Sequence, residues 1–163
     1  APHATCAYAG YLKGYKTILE ASADPEIAAL QEEVLKEAIP GLSKEFGIPE
    51  EEIWAFCSFP ETKEKMDDSI YRVAVDPIRK LSRNDRLTGN AMFCFKHGID
   101  PKALIKSIAN GMAYDEPRDE KAMLIQNMIR EEGIEAAIAK VCGVPADHDL
   151  VTRVAAEYKT IKG

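Results

Sequence analysis

The residue types able to do chemistry are concentrated between Arg72 and Leu87, in the run RVAVDPIRKLSRNDRL. Five cations (Arg72, Arg79, Lys80, Arg83, Arg86) stand there against two anions, Asp76 and Asp85. That is net +3 in sixteen residues, inside a chain whose formal charge is −6. If the run turns helical after Pro77, Arg79, Arg83 and Arg86 fall at i, i+4 and i+7 and share one face. Lys80 then stands one turn beyond Asp76, a favourable i,i+4 pair. Guanidinium groups gathered in this way suit a phosphate or a carboxylate, because the planar fork makes two parallel charge-assisted hydrogen bonds. The same pattern also fits a solvated basic face that pairs with the chain's own acids. A second candidate is His3. At the first turn of a helix its imidazole is placed to hydrogen-bond a substrate oxygen, although a packing or surface histidine would read the same way. Cys6, one turn on, could serve as a nucleophile with His3 as base, but no third orienting group accompanies them.

These groups need a scaffold, and composition bounds it. A chain of 163 residues is one domain and can bury a full core. Hydrophobic residues make up 46% and charged residues 29%, an ordinary globular composition with no apolar run of membrane length. Cys6, Cys57, Cys94 and Cys142 are far apart and form no C-x-x-C. They read as reduced thiols of a cytoplasmic protein, without a zinc site. The acidic balance, with no aromatic-rich basic patch, argues against a nucleic-acid partner. The opening APHATCAYAG has neither a signal-peptide pattern nor an initiator Met, which suggests a processed product or an excised piece.

Apolar spacing predicts helices almost throughout. Residues 3–20 read as one helix, with Gly10 and Gly14 allowing another backbone to approach. Residues 24–68 carry thirteen acids against four lysines. Within them Asp24-Pro25 starts a helix that Pro40-Gly41 should kink or end. Another helix carries Ile53, Trp54 and Phe56 to about Pro60, and 61–68 is a short helix or exposed connection. Only Ile70 to Val75 could be extended. Further helices are predicted over 84–97 (closed by Gly98), from Asp100-Pro101 through Met112, over 120–132 (closed by Gly133), over 134–142, and over 147–160, with His148 exposed in its first turn. The expected fold is therefore all-α, an orthogonal array of about eight helices. There is no G-x-G-x-x-G and no βαβ pattern, so the usual dinucleotide cradle is not expected in this chain.

Three runs carry a resemblance. AYAGYLKGYKTI (7–18), DPIRKLSRNDRL (76–87) and HGIDPKALIKSIANGM (97–112) resemble the C-terminal domain of the long-chain polyol-specific (mannitol) dehydrogenases, and within them the mannitol-1-phosphate 5-dehydrogenase branch. The resemblance covers essentially the whole chain. It implies a two-domain enzyme whose N-terminal Rossmann domain binds NAD and whose helical C-terminal domain supplies much of the substrate site. It implies that His3 is the last residue of a K-x-x-x-x-N-x-x-H signature, so that the Lys and Asn precede Ala1. It also implies substrate contacts for Arg72 and Lys80, with Arg79 as the Arg of the phosphate-type R-K-L. Pro2 stands where the family has Gly in T-G-H-A, and Thr88-Gly89-Asn90 replaces a common I-K-P. The implied reaction interconverts mannitol 1-phosphate and fructose 6-phosphate. A non-phosphorylated polyol or a hexuronate is the alternative substrate, and a non-catalytic helical interaction module is the alternative class. The chain alone is expected to be inactive, and Arg72, Arg79 and Lys80 are expected on one concave surface facing the His3 helix.

Overall fold

The computed structural model describes residues 1–57 and 68–162. Eleven helices occur among them: α1 Pro2–Leu12, α2 Ile18–Ser22, α3 Pro25–Phe46, α4 Glu50–Cys57, α5 Ile70–Ala74, α6 Pro77–Lys80, α7 Arg86–Lys96, α8 Lys102–Ala113, α9 Glu120–Glu132, α10 Ile134–Cys142 and α11 Asp149–Lys162. The described residues contain no strand, only an isolated antiparallel bridge between Thr17 and Ser69. The protein is all-α, as its apolar spacing predicts.

The core is organised around α8, in which ten of twelve residues are buried. It packs against α1, α3, α7 and α11. A helix buried on every side must satisfy its first N–H groups internally. Pro101, its N-cap, makes no side-chain cap bond. Glu37 of α3 does the capping instead, accepting from Ala103 N at 2.7 Å and Leu104 N at 2.9 Å.

Several boundaries differ from expectation, each for a local reason. The helix expected over 3–20 is two. α1 ends at Lys13, and Gly14 takes φ +87, a left-handed turn that returns the chain into α2. Gly10 does allow close approach: a Cβ there would lie 2.7 Å from Ala21 Cβ and 2.8 Å from Ile70 Cδ1. Pro40 does not end α3, which runs 22 residues through it. Burial of Val34, Ala38, Ile39 and Gly41 holds the helix across the lost hydrogen bond. Ile70 to Val75 is helical, not extended; Ser69 accepts from Arg72 N at 3.1 Å and starts the turn. His148 is half-buried rather than exposed, accepting from Leu150 N at 3.0 Å with its ring edge-on to Phe95. The expected end near Pro60 and the 61–68 connection fall outside the described residues, apart from Asp68. No described helix is long and apolar enough to cross a membrane.

Candidate substrate site

The helix that carries His3 is anchored to the basic run. His3 is half-buried on the first turn of α1, whose residues Ala4 to Gly10 are buried. From that buried face the Tyr8 hydroxyl donates to the Ala74 carbonyl at 3.0 Å. Ala74 lies between Arg72 and Lys80, so one hydrogen bond joins the two candidate regions. Cys6 is not placed as a reactive thiolate. It is fully buried, its thiol points to the Ile18 carbonyl at 3.8 Å, and burial pushes its pKa up to about 11.

Between α5 and α6 the chain reverses at Asp76, with φ 60 and ψ 67, the only non-glycine residue with positive φ among the described residues. This conformation costs an L-residue about 1–2 kcal/mol, so the surroundings must hold it. Asp119 does so: its carboxylate accepts from Asp76 N at 3.0 Å while capping α9 through Lys121 N at 3.0 Å and Ala122 N at 3.3 Å. Asp119 is 3% exposed. The Asp76 carboxylate in turn accepts from Arg79 N at 3.2 Å and starts α6. From the sequence, Asp119 carries no assigned role. Its position immediately before an apolar-periodic helix was the available signal for the cap, and nothing in the sequence pointed to its contact with Asp76.

The five cations separate. Helix α6 stops after four residues because Ser82 and Asp85 turn the chain with local bonds: Ser82 Oγ donates to Arg79 O at 2.7 Å, and Asp85 accepts from Arg86 N at 2.7 Å to cap α7. Arg79, Arg83 and Arg86 therefore do not share one helix face. Arg72 is exposed and lies 3.4 Å from Asp68. Arg79 is exposed, with Nε 3.9 Å from Asp76. Asp76 thus pairs with Arg79 rather than with Lys80. Lys80 is half-buried and donates to the Val75 carbonyl, which folds it back over the reversal. Burial, and then Arg79, hold its pKa below the ordinary lysine value, against Asp76, Asp85 and Asp119.

Arg83 and Arg86 take a different place. Both line a cavity of about 520 Å³ with Asn84, Asp85 and Asn90. Neither guanidinium makes an ion pair or hydrogen bond with another described residue. Asp85, which caps α7, stands five residues beyond Lys80 at the end of α6. Of the expected concave set, Lys80 is half-buried while Arg72 and Arg79 are exposed beside their own aspartates; Arg83 and Arg86, also exposed, border the cavity.

Residues 1–162 match the family model described as the mannitol dehydrogenase C-terminal domain. The chain belongs to this family. Relatives named mannitol-1-phosphate 5-dehydrogenase, from Thermoanaerobacter pseudethanolicus and Clostridium acetobutylicum, are each 37% identical over 98% of the chain and 42% of the relative. One from Geobacillus thermodenitrificans is 36% identical over 98% of the chain and 43% of its own length. The chain therefore spans about two fifths of the curated relatives it matches. In this mannitol dehydrogenase C-terminal domain the Tyr8–Ala74 bond joins α1 to the basic run, and the Asp76–Asp119 bond ties the run's reversal to α9.

Proposed function

We propose that this chain is the substrate-binding domain of an NAD-dependent polyol-phosphate dehydrogenase that interconverts mannitol 1-phosphate and fructose 6-phosphate. The observation that carries the reading is the match of 1–162 to a C-terminal domain, with relatives named for that activity that are more than twice as long as the chain. The described residues contain no Gly-rich turn on a parallel sheet, so they do not fit NAD by themselves, and the cofactor is assigned to an N-terminal Rossmann domain in the full-length protein. When bound, NAD supplies the hydride acceptor. This chain's residues hold the substrate. His3 hydrogen-bonds the reacting oxygen, with the general base lying before Ala1. Lys80 is the cation assigned to the polyol hydroxyls; Arg72 and Arg79, for which the resemblance implies a substrate role as well, are exposed and paired with Asp68 and Asp76. Holding the chain of hydroxyls in one register keeps the reacting carbon within reach of the cofactor face.

The test is NADH loss with the full-length protein at matched concentrations of fructose 6-phosphate, fructose and fructuronate. Turnover confined to the phosphate, lowered by His3→Ala and Lys80→Ala, is expected. Preference for fructose or fructuronate would keep the family and overturn the substrate. Inactivity with all three would leave a non-catalytic helical module.

A further inference from the structure

We propose that the cavity lined by Arg83 and Arg86 is a phosphate-monoester subsite, the place where the substrate's phosphate group is held. This rests on the polyol-phosphate reading above and assigns its recognition to residues that the resemblance does not single out. The argument begins with which cations are already occupied. Arg72 is paired with Asp68, Arg79 with Asp76, and Lys80 with the Val75 carbonyl. The two guanidiniums left without partners among the described residues are those that line the same cavity. An exposed guanidinium with no acid partner among the described residues, bordering a concavity with a second one, has its fork donors available for an oxyanion with several oxygens.

The cavity's other polar groups are compatible with an anion. Asn84 and Asn90 add amides, and Asn90 spends one N–H on Arg86 O at 2.6 Å. Among the described residues Asp85 is the only acid in the lining, and it is engaged by the Arg86 N–H at 2.7 Å. With two arginines against one aspartate, the lining is net positive before any ligand enters. Leu42 and Phe93 form its apolar wall. The position also fits. Asp85 and Arg86 open α7 within six residues of Lys80, the half-buried cation of the proposed substrate site.

The experiment compares Arg83→Gln, Arg86→Gln and the double variant with the wild type in the full-length protein. The readouts are KM and kcat for fructose 6-phosphate and any turnover of fructose. Loss of a charge-assisted pair corresponds to about 10- to 100-fold per arginine. The expected result is a KM for fructose 6-phosphate raised by that factor in each single variant, and further in the double, with fructose, which has no phosphate, affected much less. Arg83→Lys with Arg86→Lys keeps the charge but loses the fork, and should fall between. If the wild type prefers the phosphate and the double variant keeps its KM, the subsite is wrong and the proposed function stands. If Arg79→Ala alone abolishes the preference, the phosphate belongs to Arg79 and the proposal is overturned. If the wild type shows no preference for a phosphorylated substrate, the functional reading fails, and ³¹P line broadening of inorganic phosphate decides the cavity. Broadening lost in the double variant keeps an anion site; no broadening in the wild type removes it.

Discussion

Replacing Asp119 with alanine should destabilise the domain by about 2–4 kcal/mol. Three backbone N–H groups converge on this carboxylate, from Asp76 at 3.0 Å, Lys121 at 3.0 Å and Ala122 at 3.3 Å, and the residue is 3% exposed. Loss of the α9 cap costs about 1 kcal/mol. Leaving the Asp76 N–H without an acceptor costs about 1–3 kcal/mol more. The Asp76 backbone, which sits about 1–2 kcal/mol uphill in its left-handed conformation, then has nothing to hold it. Urea unfolding followed at 222 nm measures the total, and the KM for fructose 6-phosphate reports whether Lys80 has moved. Asp76→Gly by itself tests the strain, because glycine takes φ 60 without it; it should cost no more than the lost Arg79 N cap, about 1 kcal/mol. A loss below about 0.5 kcal/mol for Asp119→Ala would refute the clamp.

Three further outcomes follow from the packing. Lys80→Met should raise the KM of the full-length protein about 10-fold or more while leaving the urea midpoint equal or higher, because burial already disfavours the lysine's charge. Glu37 has its pKa raised above 4.5 by burial, against the pull of the Ala103 and Leu104 N–H bonds, so the folded state holds that proton more tightly than the unfolded chain. Its contribution to stability is full below about pH 4.5 and is lost as pH rises through the folded pKa. Glu37→Gln should flatten that part of the stability-versus-pH curve, and an unchanged slope would contradict the assignment. Gly10→Ala should destabilise by about 1–3 kcal/mol despite better helix propensity. The new Cβ would sit 2.7 Å from Ala21 Cβ, which has no free rotamer to yield, and a thermal midpoint equal to wild type would show that α2 can shift instead.

Local chemistry made some of the fold legible in advance. Asp24-Pro25 starts α3, with the Asp24 side chain accepting from Glu26 N and Ile27 N. Gly133 closes α9 at φ 90, and Leu104, Ile105, Ile108 and Met112 form the buried side of α8. Each of these depends on contacts within a few residues, or on burial that a 3.6-residue period already encodes. The departures have two sources, burial against distant parts of the chain and a local cap that apolar spacing does not reveal. Pro40 stays within α3 because its neighbours are buried, and Ile70 to Ala74 is helical because Ser69 caps it.

The candidate site divides in the same way. By itself the sequence determined that a cation-rich run would exist, that guanidinium groups would dominate it, and that His3 would stand at a helix start, because those are matters of residue type and short spacing. Which cations remain available was decided only by the tertiary structure. Asp68 and Asp76 occupy Arg72 and Arg79, a turn built by Ser82 and Asp85 breaks the expected helix, and Arg83 and Arg86 are carried into a common cavity. Asp119, 43 residues from Asp76, fixes the reversal that makes this arrangement possible. The physical reason is that a left-handed aspartate is unfavourable on its own. Only a buried partner from a distant part of the chain stabilises it, and no local pattern records where that partner lies.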